Sequence, residues 1–188
     1  MDPFAILGLP RRLALPDEEV EQVVNGLLKT THPDAGGDRA RFEEVRLAAG
    51  ILKSRSERMR AAMMLAGGDP SERGTVPSEV MDCFSPVAEA LQETNDFVSE
   101  RAKAVSGLGK AVLDVRVPGL KSKLEGLLAD LQVLEGQAKG RFVEFDERGW
   151  EESLEEMGEV SRTLRFLEKW QGQLREATGK IFEALLGG

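Results

Sequence analysis

Apolar residues recur at alternating spacings of three and four along most of this 188-residue chain, and this period constrains the fold more than any other feature. Such spacing puts the apolar side chains on one face of an α-helix, whereas a half-buried strand alternates every two residues. In the second half of the chain the pattern forms three series, which begin at Phe84, Leu120 and Val160. Hydrophobic residues make up 41% of the chain, which is enough for a buried core. The sequence therefore predicts an all-α protein.

The three series predict a C-terminal three-helix bundle over residues 75–188. Glycine and proline are expected to mark its turns, at Gly107–Gly109, Pro118–Gly119 and Glu147–Gly149. The apolar pattern and helix-end signals within residues 1–73 predict a separate domain of four shorter helices. They are expected at about Phe4–Leu7, Pro16–Thr31, Asp38–Leu52 and Ser56–Leu65. The second and third of these helices carry apolar stripes that should pack against each other, which makes a helical hairpin.

The tip of that hairpin carries His32-Pro33-Asp34, and His32 is the only histidine of the chain. Pro33 prevents the helix from continuing and moves His32 out of the right-handed helical region. Gly36-Gly37 follows as a further helix breaker, and the tripeptide should therefore face solvent. Taken alone, the tripeptide is more typical of an ordinary surface loop with a turn-forming proline and aspartate.

The segments on either side of the loop change this interpretation. Upstream lies Asp2-Pro-Phe-Ala-Ile-Leu-Gly-Leu-Pro10, and downstream lies Arg41-Phe-Glu-Glu-Val-Arg-Leu-Ala-Ala-Gly-Ile-Leu52. This order of elements resembles the J-domain of the DnaJ co-chaperones. That domain has a short helix ending in I-L-G-L, a second helix, an HPD loop, and a third helix with F-x-E-V-x-x-A-x-x-x-L. The resemblance implies a J-domain over residues 1–73.

Three further segments resemble HscB, the J-domain co-chaperone of iron-sulfur cluster assembly. They are the opening Asp2-x-Phe4-x-x-x-Gly8-Leu9-Pro10-x-Arg12, the segment Met59-Arg60-Ala61-x-x-Met64-Leu65, and Trp150 with Leu164-Arg165-Phe166-Leu167-Glu168-Lys169. The resemblance also extends to the arrangement, because a compact acidic helical bundle follows the J-domain without glycine-rich or zinc-binding segments.

This resemblance implies a function without chemistry of its own: the protein would be no enzyme and would need no cofactor. His32, Pro33 and Asp34, with Lys29 on the preceding helix, would bind a DnaK/HscA-type chaperone and stimulate its ATP hydrolysis. The bundle would bind and deliver an IscU-like scaffold protein. The residues expected at that client surface are Phe166 in the last helix and Val80, Met81, Phe84 and Val87 at the start of the bundle.

One departure from the family concerns charge on the helix before the loop. Family members place basic residues about six and seven positions before the histidine, where this chain has Asn25 and Gly26. Other basic residues are candidates to compensate for them: Arg39, Arg41, Arg46, Lys53, Arg55, Arg58 and Arg60. Two alternatives therefore stay open, a J-domain protein with another client and an inactive J-domain that serves as a helical adaptor.

Composition excludes several other classes of protein. The net charge of −8 argues against nucleic acid or an anionic membrane as a partner. No signal peptide or membrane-spanning segment is visible, and the single cysteine fits a reducing compartment, so we expect a cytoplasmic protein. One histidine and one cysteine fall short of a zinc site, and no nucleophile with a base or phosphate-binding loop is recognisable. Trp150 and Trp170 are interpreted as core residues.

Overall fold

The computed structural model describes residues 1–70 and 74–186. These residues form helices joined by turns and loops, and they contain no strand. The predicted all-α class is confirmed. In chain order the helices are α1 Pro3–Leu7, α2 Asp17–Thr31, α3 Arg39–Lys53, α4 Arg55–Leu65, α5 Ser78–Met81, α6 Phe84–Lys103, α7 Gly107–Asp114, α8 Val117–Gly140, α9 Phe142–Arg148 and α10 Leu154–Leu186. Short 3-10 turns lie at Pro33–Ala35 and Glu151–Ser153. In these described ranges, no helix has both the length and the apolarity needed to cross a membrane.

Contacts divide the chain into two compact units. The first unit consists of Met1–Thr75 and Gln137–Leu164, and the second consists of Val76–Gly136 and Arg165–Gly188. The segment resembling a J-domain thus lies wholly in the first unit, together with residues 137–164 of the predicted bundle. The predicted boundary at residue 73 falls outside the described residues, as do the last two positions of the chain.

Helices α1, α2 and α3 share the first core of the first unit. Phe4 and Leu7 of α1 pack with the stripes of α2 and α3, which include Val24, Val45 and Leu52, all of them buried. Each aliphatic or aromatic side chain of this size contributes roughly 1.5–3 kcal/mol when it is fully buried. This packing sets α2 beside α3 and leaves the loop that joins them at the end of the hairpin.

Short polar side chains cap the first turns of α1, α3 and α4. The Asp2 carboxylate accepts hydrogen bonds from the backbone N–H groups of Phe4 and Ala5 at 3.0 and 3.1 Å. Asp38 caps α3 and Ser54 caps α4 by the same kind of contact. Each cap satisfies a backbone donor that lacks a partner within the helix, which is worth about 1 kcal/mol.

A second core of the first unit joins α4 to the segment 137–164. Met59 and Met63 of α4 are buried there with Phe142 and Phe145 of α9 and with Leu164 of α10. The apolar periodicity of α9 therefore serves the first unit, although the sequence placed it in the bundle.

The second unit has a core built from α6, α8 and the latter part of α10. Its fully buried side chains include Phe97, Leu124, Leu167, Leu174 and Ile181. Two of the predicted turn positions are wrong. Pro118 and Gly119 lie in the first turn of α8. Gly107 and Gly109 lie in helix α7, which Ser106 caps by accepting the Gly109 N–H at 3.0 Å. The hydroxyl cap offsets the low helix propensity of glycine at this end.

Candidate functional site

The loop between α2 and α3 holds His32 in a defined orientation. His32 has extended backbone angles (φ −61°, ψ 129°), as expected for a residue before proline, and Pro33 starts a 3-10 turn. The Asp34 N–H donates a hydrogen bond to Nδ1 of His32 at 3.2 Å, and the imidazole meets the edge of the Phe42 ring at 5.1 Å between centroids. Since Nδ1 accepts, the neutral ring carries its proton on Nε2.

Two glycines close the loop behind this tripeptide. Gly36 has a positive φ of 81°, a conformation that glycine adopts without steric cost. The Gly37 N–H donates to the His32 carbonyl oxygen at 3.0 Å, and a Cβ at Gly37 would lie only 2.3 Å from the Thr31 carbonyl group. The chain can therefore turn back into α3 this tightly only with glycine at position 37.

The side chains of the loop are available to a partner. His32, Pro33 and Asp34 are exposed, and the Asp34 side chain retains 92% of its accessible surface. His32, Asp34 and Lys29 line one side of an open groove of about 520 Å³, which Asn25 and Leu28 complete. All the residues that the sequence assigned to a chaperone contact thus lie within one short, exposed stretch.

The surface of α2 lacks the basic pair that the J-domain family places before the histidine. Asn25 and Gly26 are exposed and uncharged, and Lys29 is the basic residue that borders the groove. Arg58 was expected among the surface residues that compensate for the missing basic pair, and this expectation is wrong. Its side chain is 2% exposed and donates to the carbonyl oxygens of Leu13, Leu15 and Leu52 at 2.5–3.1 Å. Arg58 therefore joins the α1–α2 connection to the end of α3.

Arg41 has a structural contact as well. Its guanidinium donates to the Ile6 carbonyl oxygen at 2.7 Å, close to the end of α1, and pairs with Glu44 at 3.1 Å. Arg39 and Arg46 remain on the exposed surface of α3. These two arginines are thus better placed than Arg41 or Arg58 to meet a partner.

A second exposed surface lies in the second unit, where two phenylalanines flank one tryptophan. The ring of buried Trp170 lies 5.5 Å from Phe166 and 6.4 Å from Phe84 between centroids. Phe84 is 56% and Phe166 37% exposed, and Met81 is also exposed. We call Met81, Phe84, Phe166 and Trp170 the aromatic patch.

The other two residues of the predicted client surface lie elsewhere. Val80 and Val87 are each 2% exposed and belong to the core of the second unit. Val80 lies in α5 beside exposed Met81, and Val87 lies in α6 one turn after exposed Phe84, so each helix buries one side and exposes another. Val80 and Val87 therefore pack in the same core as Trp170 of the aromatic patch and are not exposed to a client.

Sequence reasoning missed one polar residue that organises the first unit. The Asp146 carboxylate accepts hydrogen bonds from the backbone N–H groups of Leu13 and Ala14 and from Nε1 of Trp150, at 2.8–2.9 Å. Trp150 in turn packs on Phe4 at 5.8 Å between centroids. No local pattern marks Asp146, because its partners at residues 13 and 14 are remote in sequence.

Comparison with known proteins adds no family to these observations. No protein-family model matches the chain, and no curated protein matches it. Among the described side chains, no group of three or more histidine, cysteine, aspartate or glutamate residues is arranged to hold a metal ion. Among the described residues, the exposed loop and the aromatic patch are two candidate sites.

Proposed function

We propose that this protein is a J-domain co-chaperone of the HscB type. In this proposal, the loop of His32, Pro33 and Asp34 stimulates ATP hydrolysis by a DnaK/HscA-type chaperone. The second unit binds an IscU-like scaffold and brings it to that chaperone. The observation that carries the proposal is the exposed loop between two packed helices, where His32, Pro33 and Asp34 lie outside both described cores of the first unit.

The geometry of the loop supports a binding role. The hydrogen bond from the Asp34 N–H and the contact with Phe42 fix the imidazole, which nevertheless keeps 46% of its side-chain surface exposed. An orientation fixed before binding reduces the entropy lost when a partner is bound. Lys29 and the adjoining groove extend the same surface along α2.

The aromatic patch supports the client half of the proposal. Large aromatic side chains at an exposed surface mark protein-binding sites, since they bury much area and lose few rotatable bonds. Phe84 and Phe166 share the support of Trp170, so that a client could cover both rings at once. We therefore narrow the proposed client contact to Met81, Phe84 and Phe166.

One observation favours a second candidate function. Asn25 and Gly26 leave the exposed part of α2 without the basic pair expected for contact with an acidic chaperone surface. Complementary charges raise association rates and select partners, so their loss would weaken the chaperone contact. The second candidate is thus a helical adaptor with an inactive J-domain, or a J-domain protein with another client.

ATPase stimulation distinguishes these two functions. His32→Gln should abolish stimulation of a DnaK-type ATPase, because it replaces the imidazole that the loop presents. Its effect on stability should stay within about 1 kcal/mol, since the side chain is half exposed and loses at most the cap on Asp34 and the contact with Phe42. Steady-state ATP hydrolysis, with thermal unfolding of each variant, measures both effects.

The matched control is Glu147→Gln, an exposed change of similar size on α9 that should leave stimulation intact. A wild-type chain that gives no stimulation at saturating concentration would contradict the co-chaperone proposal. That result would instead support the adaptor.

A further inference from the structure

Helix α2 exposes a row of polar side chains that leads to the HPD loop. Glu18, Gln22, Asn25 and Lys29 are exposed and follow one another at spacings of four, three and four, which puts them on one side of the helix. Asn25 and Lys29 also line the open groove beside the loop. We call these four residues the outer row. A partner that engages both the loop and the groove therefore lies along it.

Not every acidic residue of α2 is available to such a partner. Asp17 pairs with two arginines and a lysine at 2.5–3.8 Å, and Glu21 borders the small cavity that the same arginines line. Glu18 and Glu19, in contrast, are exposed and form no ion pair with any described residue, and the same holds for Lys29. The outward charge of α2 therefore consists of two carboxylates at its start and one ammonium group at its end.

These two ends act separately. Glu18 and Lys29 are separated by about three turns, or about 16 Å along the helix axis. Exposed charges are screened within about 8–10 Å at physiological salt. Between the two ends, Gln22 and Asn25 carry no charge, and half-buried Leu28 lines the groove beside Asn25. The outer surface of α2 thus has an acidic start, an uncharged middle and a basic end next to the loop.

A uniformly acidic partner surface does not complement this arrangement. Such a surface would be repelled by Glu18 and Glu19. Its carboxylates opposite Asn25 would lose water without gaining an opposite charge, which is unfavourable. The amide of Asn25 has both donors and acceptors, so it suits an uncharged polar group, and Leu28 beside it suits an apolar one.

We propose that the outer row selects a chaperone whose contact surface is basic opposite Glu18 and Glu19 and uncharged, partly apolar, opposite Asn25 and Leu28. The inference rests on the proposed function and names the partner of that site by its surface chemistry. The missing basic pair then serves specificity, because a chaperone with an acidic contact surface is rejected. The loop stays active toward its own chaperone.

Charge reversal at the start of α2 tests the basic part of the chaperone surface. Each DnaK/HscA-type chaperone of the same organism is first assayed for stimulation, and the one that responds at the lowest concentration is used in its ATP-bound form. In surface plasmon resonance, Glu18→Lys/Glu19→Lys should slow association about fivefold or more, because two attractions become repulsions. The loss should shrink at about 0.5 M salt, which screens exposed charges.

The matched control is Glu151→Lys/Glu152→Lys. It changes two adjacent exposed glutamates in the first turn of another segment of the first unit, and it alters the net charge by the same amount. This variant should associate like the wild type. Helical circular dichroism of every variant checks that the fold is retained.

A single substitution tests the uncharged part of the chaperone surface. Asn25→Lys should raise the Kd for the same chaperone about fivefold or more, because an ammonium group would lose water against groups that cannot pair with it. Gln132→Lys, at an exposed amide of α8, is the matched control and should leave the Kd unchanged.

The outcomes separate this inference from the proposed function. Unchanged or tighter binding by either α2 variant, while the wild type stimulates the chaperone, would overturn the inference and leave the proposed function standing. Tighter binding would show that the chaperone surface is acidic. A wild type that stimulates none of these chaperones would contradict the proposed function and overturn the inference with it.

Discussion

Gly26 and Gly37 lie on either side of the HPD loop, and a methyl group added at each would meet opposite surroundings. At Gly26, within α2, the added Cβ meets nothing within 4 Å. At Gly37 it would lie 2.3 Å from the carbonyl carbon and oxygen of Thr31, which are backbone atoms of the preceding helix end. One glycine is therefore a weak point of a helix, and the other is a steric requirement of the loop.

Alanine at these two positions should change stability in opposite directions. Gly26→Ala should raise the free energy of unfolding by about 0.5–1 kcal/mol, because glycine in a helix costs about that much relative to alanine. Gly37→Ala should lower it by about 1–3 kcal/mol, since the backbone must shift to admit the Cβ. Urea unfolding of the two variants measures both values. Equal stability of Gly37→Ala and the wild type would show that the loop does not close on Thr31.

Helix α7 is joined to α6 by one ion pair, in which Arg101 donates hydrogen bonds to the Asp114 carboxylate at 2.7 and 3.3 Å. The hydrogen bond from Arg101 is the main cause that lowers the pKa of the Asp114 carboxyl below its ordinary 3.8, and the charges of Arg101 and Lys110 act in the same direction. A carboxyl whose pKa is lower in the folded than in the unfolded state stabilises the fold above its unfolded pKa. That contribution disappears as pH falls through the folded value.

Asp114→Asn should therefore lower the unfolding temperature at pH 7, and the difference from the wild type should shrink as pH falls below about 3.8. Thermal unfolding of both proteins between neutral and acidic pH checks this. Glu125→Gln, at an exposed carboxyl of α8, provides the matched control. A difference that stays constant over the whole range would show that the Asp114 charge does not hold α7.

Elements with a strong local signal were predictable from the sequence. The ends of α1–α4 follow from capping aspartate and serine residues, prolines and glycines that act within a few residues. The loop of His32, Pro33 and Asp34 and its exposure were predictable for the same reason. Helix α7 was not, because its two glycines suggested a turn and outweighed the signal of the Ser106 cap.

At the scale of the whole molecule, the sequence could not assign residues 137–164 to the first unit. Phe142 and Phe145 continue the apolar period of α8, yet they pack with Met59 of α4. Such pairing depends on contacts between residues remote in sequence, which a local period does not encode. For the same reason Arg58 was taken for a surface charge, and Val80 and Val87 for client contacts.

In the proposed function, one chain joins a loop that acts on a chaperone to a surface that binds the client. The most direct test measures ATP hydrolysis by a DnaK/HscA-type chaperone with this protein and an IscU-like scaffold present together. We expect stimulation greater than the sum of the two separate effects. Phe84→Ser/Phe166→Ser should retain the stimulation given without scaffold, because the HPD loop is intact, and should lose the additional part. Additional stimulation that survives this double variant, or no stimulation by the wild type under either condition, would contradict the account.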